Sequence, residues 1–429
     1  MAQAGQIARS TAAPPAEGIS YEDLYRRWER SNWSATDIDL SGDRSDWSDL
    51  DPADRRAMLW HLGAFAHGEN EVAVSLAAYI DAAPREEQRY FLATQQVDEA
   101  RHSVFFSRFM REVPSVGGGV GETLDLTRPE LTWGFRRTFE RLERMVRELR
   151  SDRSPRKLAG AVTLYHLVIE AAMAQTSLHF LESHLEETGR FPGLREGLAS
   201  VLNDEQRHIG FGVKLLHDLS TEYAGCRHEV AEVLHQVTPF SVAVAVPPNG
   251  DESYMARLGY RLEDLHEAST SSLVTRLRSA GLAADDLPGP PALPRGLSPA
   301  EQARKSLVLL RANVLGEKRG VPDRSPEVME TLFDLVGRSA DLTQASPGGD
   351  TIQWDFTDAE PWHVHITREG ASAARGRAPR ADLTWRCAFE DWTDVVARRI
   401  DSGRALLTRR LRPRGSVRLL LRSRAIFGA

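Results

Sequence analysis

Apolar residues recur at helical spacing through the first two thirds of the chain. From Asp51, "DPADRRAMLWHLGAFAHGENEVAVSLAAYI" offers an aspartate cap, Pro52 at the first helical position, and a stripe of Leu62, Phe65, Val72, Leu76 and Tyr79. The spacing predicts a second long helix from about Arg85 to Val113, ended by Pro114 and the loop "SVGGGVG". A third begins near Pro129, a fourth runs from Pro155 to about Glu187, and a fifth follows Pro192 to about Leu219. Strand signals are absent here, and long helices with short or Gly-rich connections predict an antiparallel bundle. Further helices between about 222 and 285 decorate it, with "VAVAVPPNG" as an apolar turn.

The pattern changes after "DDLPGPPALPRGLSP", where Pro and Gly fill seven of fifteen positions and mark a domain boundary. One or two helices over about 298 to 340 precede the alternating runs "TIQWDF", "WHVHI" and "ADLTWRCAF", which turn residues separate into strands. Helical text returns from Glu390 and ends in "RALLTRRLRPRGSVRLLLRSRAIF". The predicted organisation is a disordered leader over 1–18, a helical bundle over 19–285, a Pro/Gly linker over 286–298 and a smaller α+β domain over 299–429. The fold class is therefore mainly α.

Composition adds four constraints. A chain of 429 residues with 41% hydrophobic content suffices for two or three domains, each with its own core. Its net charge of -7 does not advertise nucleic-acid binding, yet Pro361 to Ala429 holds fifteen arginines, no lysine and six acidic residues, a local balance of +9. Cys226 and Cys387 lie far apart, which argues against a disulfide framework or a Cys-based metal site and fits a reducing cytoplasm. The N-terminus lacks a signal-peptide core, and no stretch reads as a membrane-spanning helix.

Two strings carry chemistry. "VDEARHSV" (97–104) and "NDEQRHIG" (203–210) each set a glutamate and a histidine three residues apart, so each helix offers a carboxylate oxygen and an imidazole nitrogen from one face. The pairs are Glu99 with His102 and Glu205 with His208. Two other helices carry a glutamate within an apolar stripe, Glu69 and Glu170, and such a carboxylate is costly to bury unless it is paired or bound to metal. Glu, Glu-x-x-His, Glu, Glu-x-x-His on successive long helices is the pattern of dinuclear carboxylate sites in ferritin-like bundles. Four carboxylates and two imidazoles neutralise two divalent ions while leaving positions open for dioxygen. Glu69 is preferred to Glu71 as the first ligand because it shares a stripe with Val72 and Leu76. Asp98, Arg101, Asp204 and Arg207 are either ion-pair partners that orient the ligands or solvated charges. His61, His67, His166 and His179 read as core or surface histidines.

At these residues the chain resembles the ribonucleotide reductase small-subunit superfamily over roughly residues 20 to 285. The ligand order and the Glu170 to Glu205 separation of 35 agree with it. The superfamily's reductase subunit keeps a radical tyrosine four residues after the first ligand histidine, where this chain has Phe106. The amino-arene N-oxygenases of the ferritin-like group carry an extra histidine where this chain has Val201. The opening "YEDLYRRWERSNWSATDIDLSGDRSDW" and the stretch "GENEVAVSL" are similar to the superfamily's ligand-binding oxidases. That resemblance implies a Mn/Fe or Fe/Fe site beside an apolar ligand pocket, an external electron donor, a homodimer, and a cross-link between a valine and a tyrosine at the places held by Val72 and Tyr165. Residues from about 300 to 429 resemble the sterol carrier domain, although the Arg-rich "DSGRALLTRRLRPRG" departs from its Gly-rich wording. Members of that family hold an apolar ligand between sheet and helices.

The expected protein is a dinuclear metal oxygenase or oxidase that uses dioxygen to oxidise a small, apolar or carrier-presented organic substrate. The alternative is an apolar-ligand-binding protein whose metal site is non-catalytic or a ferroxidase.

Overall fold

A computed structural model describes residues 18–428 of the chain; the expected disordered leader lies, but for its last residue, outside the described residues. The chain divides into two compact units. One runs to Glu229 and resumes over Val244–Leu282; the other holds Val230–Ala243 and continues from Ala283.

The first unit is helical throughout its described residues. Two short helices, α1 (Tyr21–Arg30) and α2 (Ser41–Asp49), precede α3 (Pro52–Ala82) and α4 (Glu86–Glu112). The predicted cap is present: the Asp51 carboxylate accepts the N–H groups of Ala53 and Asp54 at 2.7 and 2.8 Å. A short unexpected helix, α5 (Val120–Thr127), begins at the last two residues of the loop "SVGGGVG", and α6 (Trp133–Ser151) follows. Then come the continuous helix α7 (Pro155–Thr188) and α8 (Pro192–Glu222). Helix α9 (Cys226–Ser241) crosses into the second unit at Val230, and α10 (Ser253–Arg257) and α11 (Leu262–Ser279) complete the first.

Helix α7 departs from the sequence reading twice. By length and composition it passes as a membrane span, although no such stretch was expected. Its most apolar part is 89% buried inside the protein, as a core helix requires. Its centre, Thr163–Ala174, is π-helical, so i→i+5 hydrogen bonds align residues five apart, a register that a search at 3.6-residue spacing passes over. Against this segment α8 presents Gly212, where an added Cβ would sit 2.3 Å from His166 Cβ. Gly212→Ala is expected to destabilise the unit by about 1–3 kcal/mol through overpacking, read as a lowered denaturant midpoint at constant slope. An unchanged midpoint would show that the helices can separate there without cost.

The second unit packs α12 (Pro299–Arg311) and α13 (Pro326–Arg338) with a five-stranded sheet. Its strands are β1 (Asp350–Phe356), β2 (Trp362–Ile366), β3 (Ala371–Arg375), β4 (Leu383–Cys387) and β5 (Arg412–Gly415), in the order β3-β2-β1-β4-β5. β1 and β4 run parallel, with Ile352 opposite Leu383, and the other pairings are antiparallel. The alternating runs put Ile352, Trp354, Val364 and Leu383 into one core with Phe333 of α13 and with Phe389 and Trp392 of α14 (Phe389–Val396). Phe333 stacks on Trp362 at 4.9 Å and on Trp392 at 5.1 Å. The final stretch read as helical is instead α15 (Ser402–Leu407), β5 and α16 (Val417–Phe427). β5 is an edge strand whose R-P-R-G text has no apolar alternation, because it pairs through its backbone on one side only.

Candidate metal centre

Four helices of the first unit converge on one buried polar cluster. α3 contributes Glu69, α4 Glu99 and His102, the π segment of α7 Glu170, and α8 Glu205 and His208; all six side chains are buried. Two donor sets overlap. Glu69, Glu99, His102 and Glu205 offer ligand atoms within 4.8 Å of one another, and so do Glu99, Glu170 and His208, so that Glu99 belongs to both. His102 Nδ1 lies 3.3 Å from Glu69, 3.5 Å from Glu99 and 3.5 Å from Glu205. His208 Nδ1 lies 3.1 Å from Glu99 and 3.8 Å from both Glu170 and Glu205. Glu71, by contrast, is half-buried and outside the cluster.

The other nitrogen of each ring explains why the motif is written twice. His102 Nε2 lies 3.1 Å from Asp204, and His208 Nε2 lies 3.1 Å from Asp98, so the aspartate of each motif serves the histidine of the other. An aspartate is acceptor-only, which fixes the proton on Nε2 and turns the Nδ1 lone pair toward the carboxylates. Arg207 bridges both aspartates, at 3.1 Å from Asp98, and Arg101 lies 3.2 and 3.4 Å from them. These four residues are therefore an ion-paired network behind the ligands, with both aspartates fully buried. Two tryptophans complete it. Trp28 donates its indole N–H to Asp98 at 3.0 Å, and Trp33 donates to Asp204 at 2.8 Å. The indoles come from the N-terminal segment, and only their spacing of five in "RRWERSNWS" marked them in the sequence.

Gln95 is the other residue that sequence reasoning missed. Its side-chain amide donates to Glu170 at 2.8 Å and to the Tyr165 hydroxyl at 3.0 Å, while its carbonyl oxygen lies 3.2 Å from His166 Nε2. Tyr165 in turn donates to Glu99 at 2.8 Å. Tyr165 and Glu170 are five apart, so the π register lets both reach one glutamine. The available signal was a polar residue one turn before Glu99 on the same face. Val72 is buried one turn after Glu69, Phe106 is buried and stacks on Phe65 at 5.7 Å, and Val201 is buried in α8. His61, His67, His166 and His179 stand outside both donor sets.

The electrostatics are those of a site built to hold positive charge. Burial raises the pKa of Glu69, Glu170 and Glu205, with neighbouring carboxylates adding to the effect. Burial also opposes charge on the two imidazoles and on Glu99, but mutual attraction wins: both histidines are held well above the usual range and Glu99 well below it. Asp204 is lowered to about 2 because hydrogen bonding from His102 and the nearby positive charges outweigh burial. Glu170 Oε2 and Glu205 Oε2 are buried without a hydrogen-bond partner among the described residues. The raised carboxyls and imidazoles that face one another are held together by protons, and hard divalent ions that take O and N ligands fit this donor set in place of those protons.

The chain matches the family described as ribonucleotide reductase, small chain, over residues 15–238, more than half its length, and it belongs to that family. Residues 330–428 match the SCP-2 sterol transfer family, so the chain joins a ferritin-like domain to a sterol-transfer domain. Among solved structures, the helical part is similar to R2-like ligand-binding oxidases. A variant with an anaerobically reconstituted Mn/Fe cofactor is 23% identical with a TM-score of 0.52, covering 61% of this chain and 94% of its own. The oxidase from Sulfolobus acidocaldarius is 22% identical with a TM-score of 0.51, covering 63% and 94%. Another variant, with an aerobically reconstituted Mn/Fe cofactor, is 22% identical with a TM-score of 0.53, covering 61% and 94%. At these identities the likeness is one of fold.

Proposed function

We propose that the bundle is a dinuclear non-haem metal oxidase or oxygenase in which Glu69, Glu99, His102, Glu170, Glu205 and His208 hold two metal ions, Fe/Fe or Mn/Fe. The observation that carries this reading is the pair of overlapping donor sets sharing Glu99, each with one imidazole whose proton is pinned on the far nitrogen. Such a metal pair supplies the reductive activation of dioxygen, with electrons from an external donor, for oxidation of an organic substrate. The residues around it orient and insulate. Asp98 and Asp204 hold the two rings, Gln95 fixes the Glu170 carboxylate and the Tyr165 phenol, and the Trp33 indole stacks over the His102 ring. Hydroxylation, desaturation and amine oxidation all fall within this chemistry.

The substrate we infer is apolar, taken up directly or presented by the C-terminal domain; the neighbours' name of ligand-binding oxidase and the sterol-transfer match support it. The reading takes 19–285 as the oxidase domain and 299–429 as the ligand domain, joined by 286–298. It includes a covalent link between Val72 and Tyr165, read by mass spectrometry as a joined peptide lighter by a pair of hydrogens. A reducing, cytoplasmic setting accords with two free, buried cysteines. A homodimer is part of it too. Tyr90, Ala93, Val97 and Val104 form an exposed heptad stripe on α4, suited to a self-complementary helix contact, and sedimentation equilibrium measures the state.

The test is anaerobic loading with Fe(II), with or without Mn(II), followed by exposure to oxygen. About two ions per chain and oxygen uptake above the buffer rate are expected. Uptake at the buffer rate would overturn the oxidase, and iron uptake far beyond that stoichiometry would mark a storage protein.

A further inference from the structure

The end of the second unit carries a surface that the proposed oxidase does not use. Residues 404–424 contain eight arginines and no acidic residue. Arg410 and Arg422 are paired, with Asp391 and Asp394 and with Asp350 respectively. The other six, Arg404, Arg409, Arg412, Arg414, Arg418 and Arg424, are exposed and have no carboxylate partner among the described residues, whereas arginines such as Arg26, Arg137 and Arg375 each have one. The same stretch holds the three most exposed large apolar side chains described: Leu407 at 86%, Leu421 at 76% and Val417 at 69%. Val417 and Leu421 lie one turn apart on α16, with Arg418 and Arg424 also on its exposed face, while Leu419 and Ile426 on the opposite face are buried in the core. Leu407 ends α15, immediately before β5.

We propose that the α15–β5–α16 surface docks peripherally on an anionic phospholipid bilayer, its arginines on lipid phosphates and Leu407, Val417 and Leu421 in the interface. Protruding aliphatic side chains among arginines suit a membrane surface, where guanidinium groups stay with headgroups while alkyl groups enter the acyl boundary. The surface lacks what a protein partner would use. Residues 404–424 contain no Trp, Tyr, Phe or Met, the residue types that with Arg are enriched at protein interfaces. Strand addition at β5 is blunted by Pro413 and by its flanking arginines. A purely electrostatic partner leaves the exposed leucines unexplained. This docking would bring the sterol-transfer domain to where apolar molecules reside, and it holds whether or not the bundle is an oxidase.

The experiment is co-sedimentation of the full-length, metal-loaded protein with vesicles of phosphatidylcholine alone or mixed with phosphatidylglycerol. Binding to the mixed vesicles only, weakening as salt rises, is expected. Arg412→Gln with Arg414→Gln should weaken it about 30-fold, from roughly five-fold per arginine near an anionic surface. Leu407→Ser with Leu421→Ser should reduce binding most at high salt, where the apolar contribution dominates. Circular dichroism melting confirms that these exposed substitutions leave the fold intact, and Arg418→Gln with Arg424→Gln gives a second pair. Equal binding to uncharged vesicles, no vesicle binding, or binding insensitive to both pairs would overturn the proposal. Retention by polyglutamate without vesicle binding would assign the surface to an acidic protein instead.

Discussion

Glu99→Ala combined with His102→Ala should empty the proposed metal centre: metal per chain, measured by inductively coupled plasma mass spectrometry after gel filtration, is expected to fall from about two to well below one. The size of the effect follows from the position of Glu99, which belongs to both donor sets, so that its loss opens both sites at once. His102 adds the nitrogen donor of the first set, and removing it strands Asp204 without its imidazole. Oxygen uptake should fall to the buffer rate in the same preparation. Glu71→Ala is the control, because Glu71 stands outside the cluster and its loss should leave the metal content unchanged. Content that stays near the wild-type value in the double variant would remove these residues from the ligand set.

The second large effect concerns the residues behind the ligands. Asp98→Ala or Asp204→Ala alone should weaken metal retention about 10–100-fold in chelator competition, because each leaves one histidine without the acceptor that orients it. The double variant should do worse than the sum. Arg207 is buried and bridges the two aspartates, so either single change leaves it one partner and the double change leaves it neither. An unpaired buried guanidinium costs about 3–5 kcal/mol, which denaturant unfolding of the metal-free proteins resolves as non-additivity. Additive losses would mean that Arg207 finds another partner or reaches water.

These expectations rest unequally on sequence and on structure. Helix lengths and caps were legible because they obey local rules: Asp51 and Pro52 start α3, Pro114 follows α4, and Pro155 and Pro192 open α7 and α8. The grouping of the six donors was legible for the same reason, since Glu-x-x-His on a helix fixes a shared face and a glutamate amid apolar residues needs a partner. The strands β1, β2 and β4 showed through alternation; β5 did not, because an edge strand that pairs by its backbone needs no apolar face.

The sequence by itself thus determined a helical bundle carrying four carboxylates and two imidazoles, followed by a small sheet domain, because spacing along one element decides which side chains share a face. Only the tertiary structure decided that Asp98 serves His208 and Asp204 serves His102, that Trp28 and Trp33 close that network, and that a π register brings Tyr165 and Glu170 to Gln95. Those pairings join residues 70 to 171 positions apart. No local pattern specifies them; they follow from how the helices pack, which shape and burial settle over the whole unit at once.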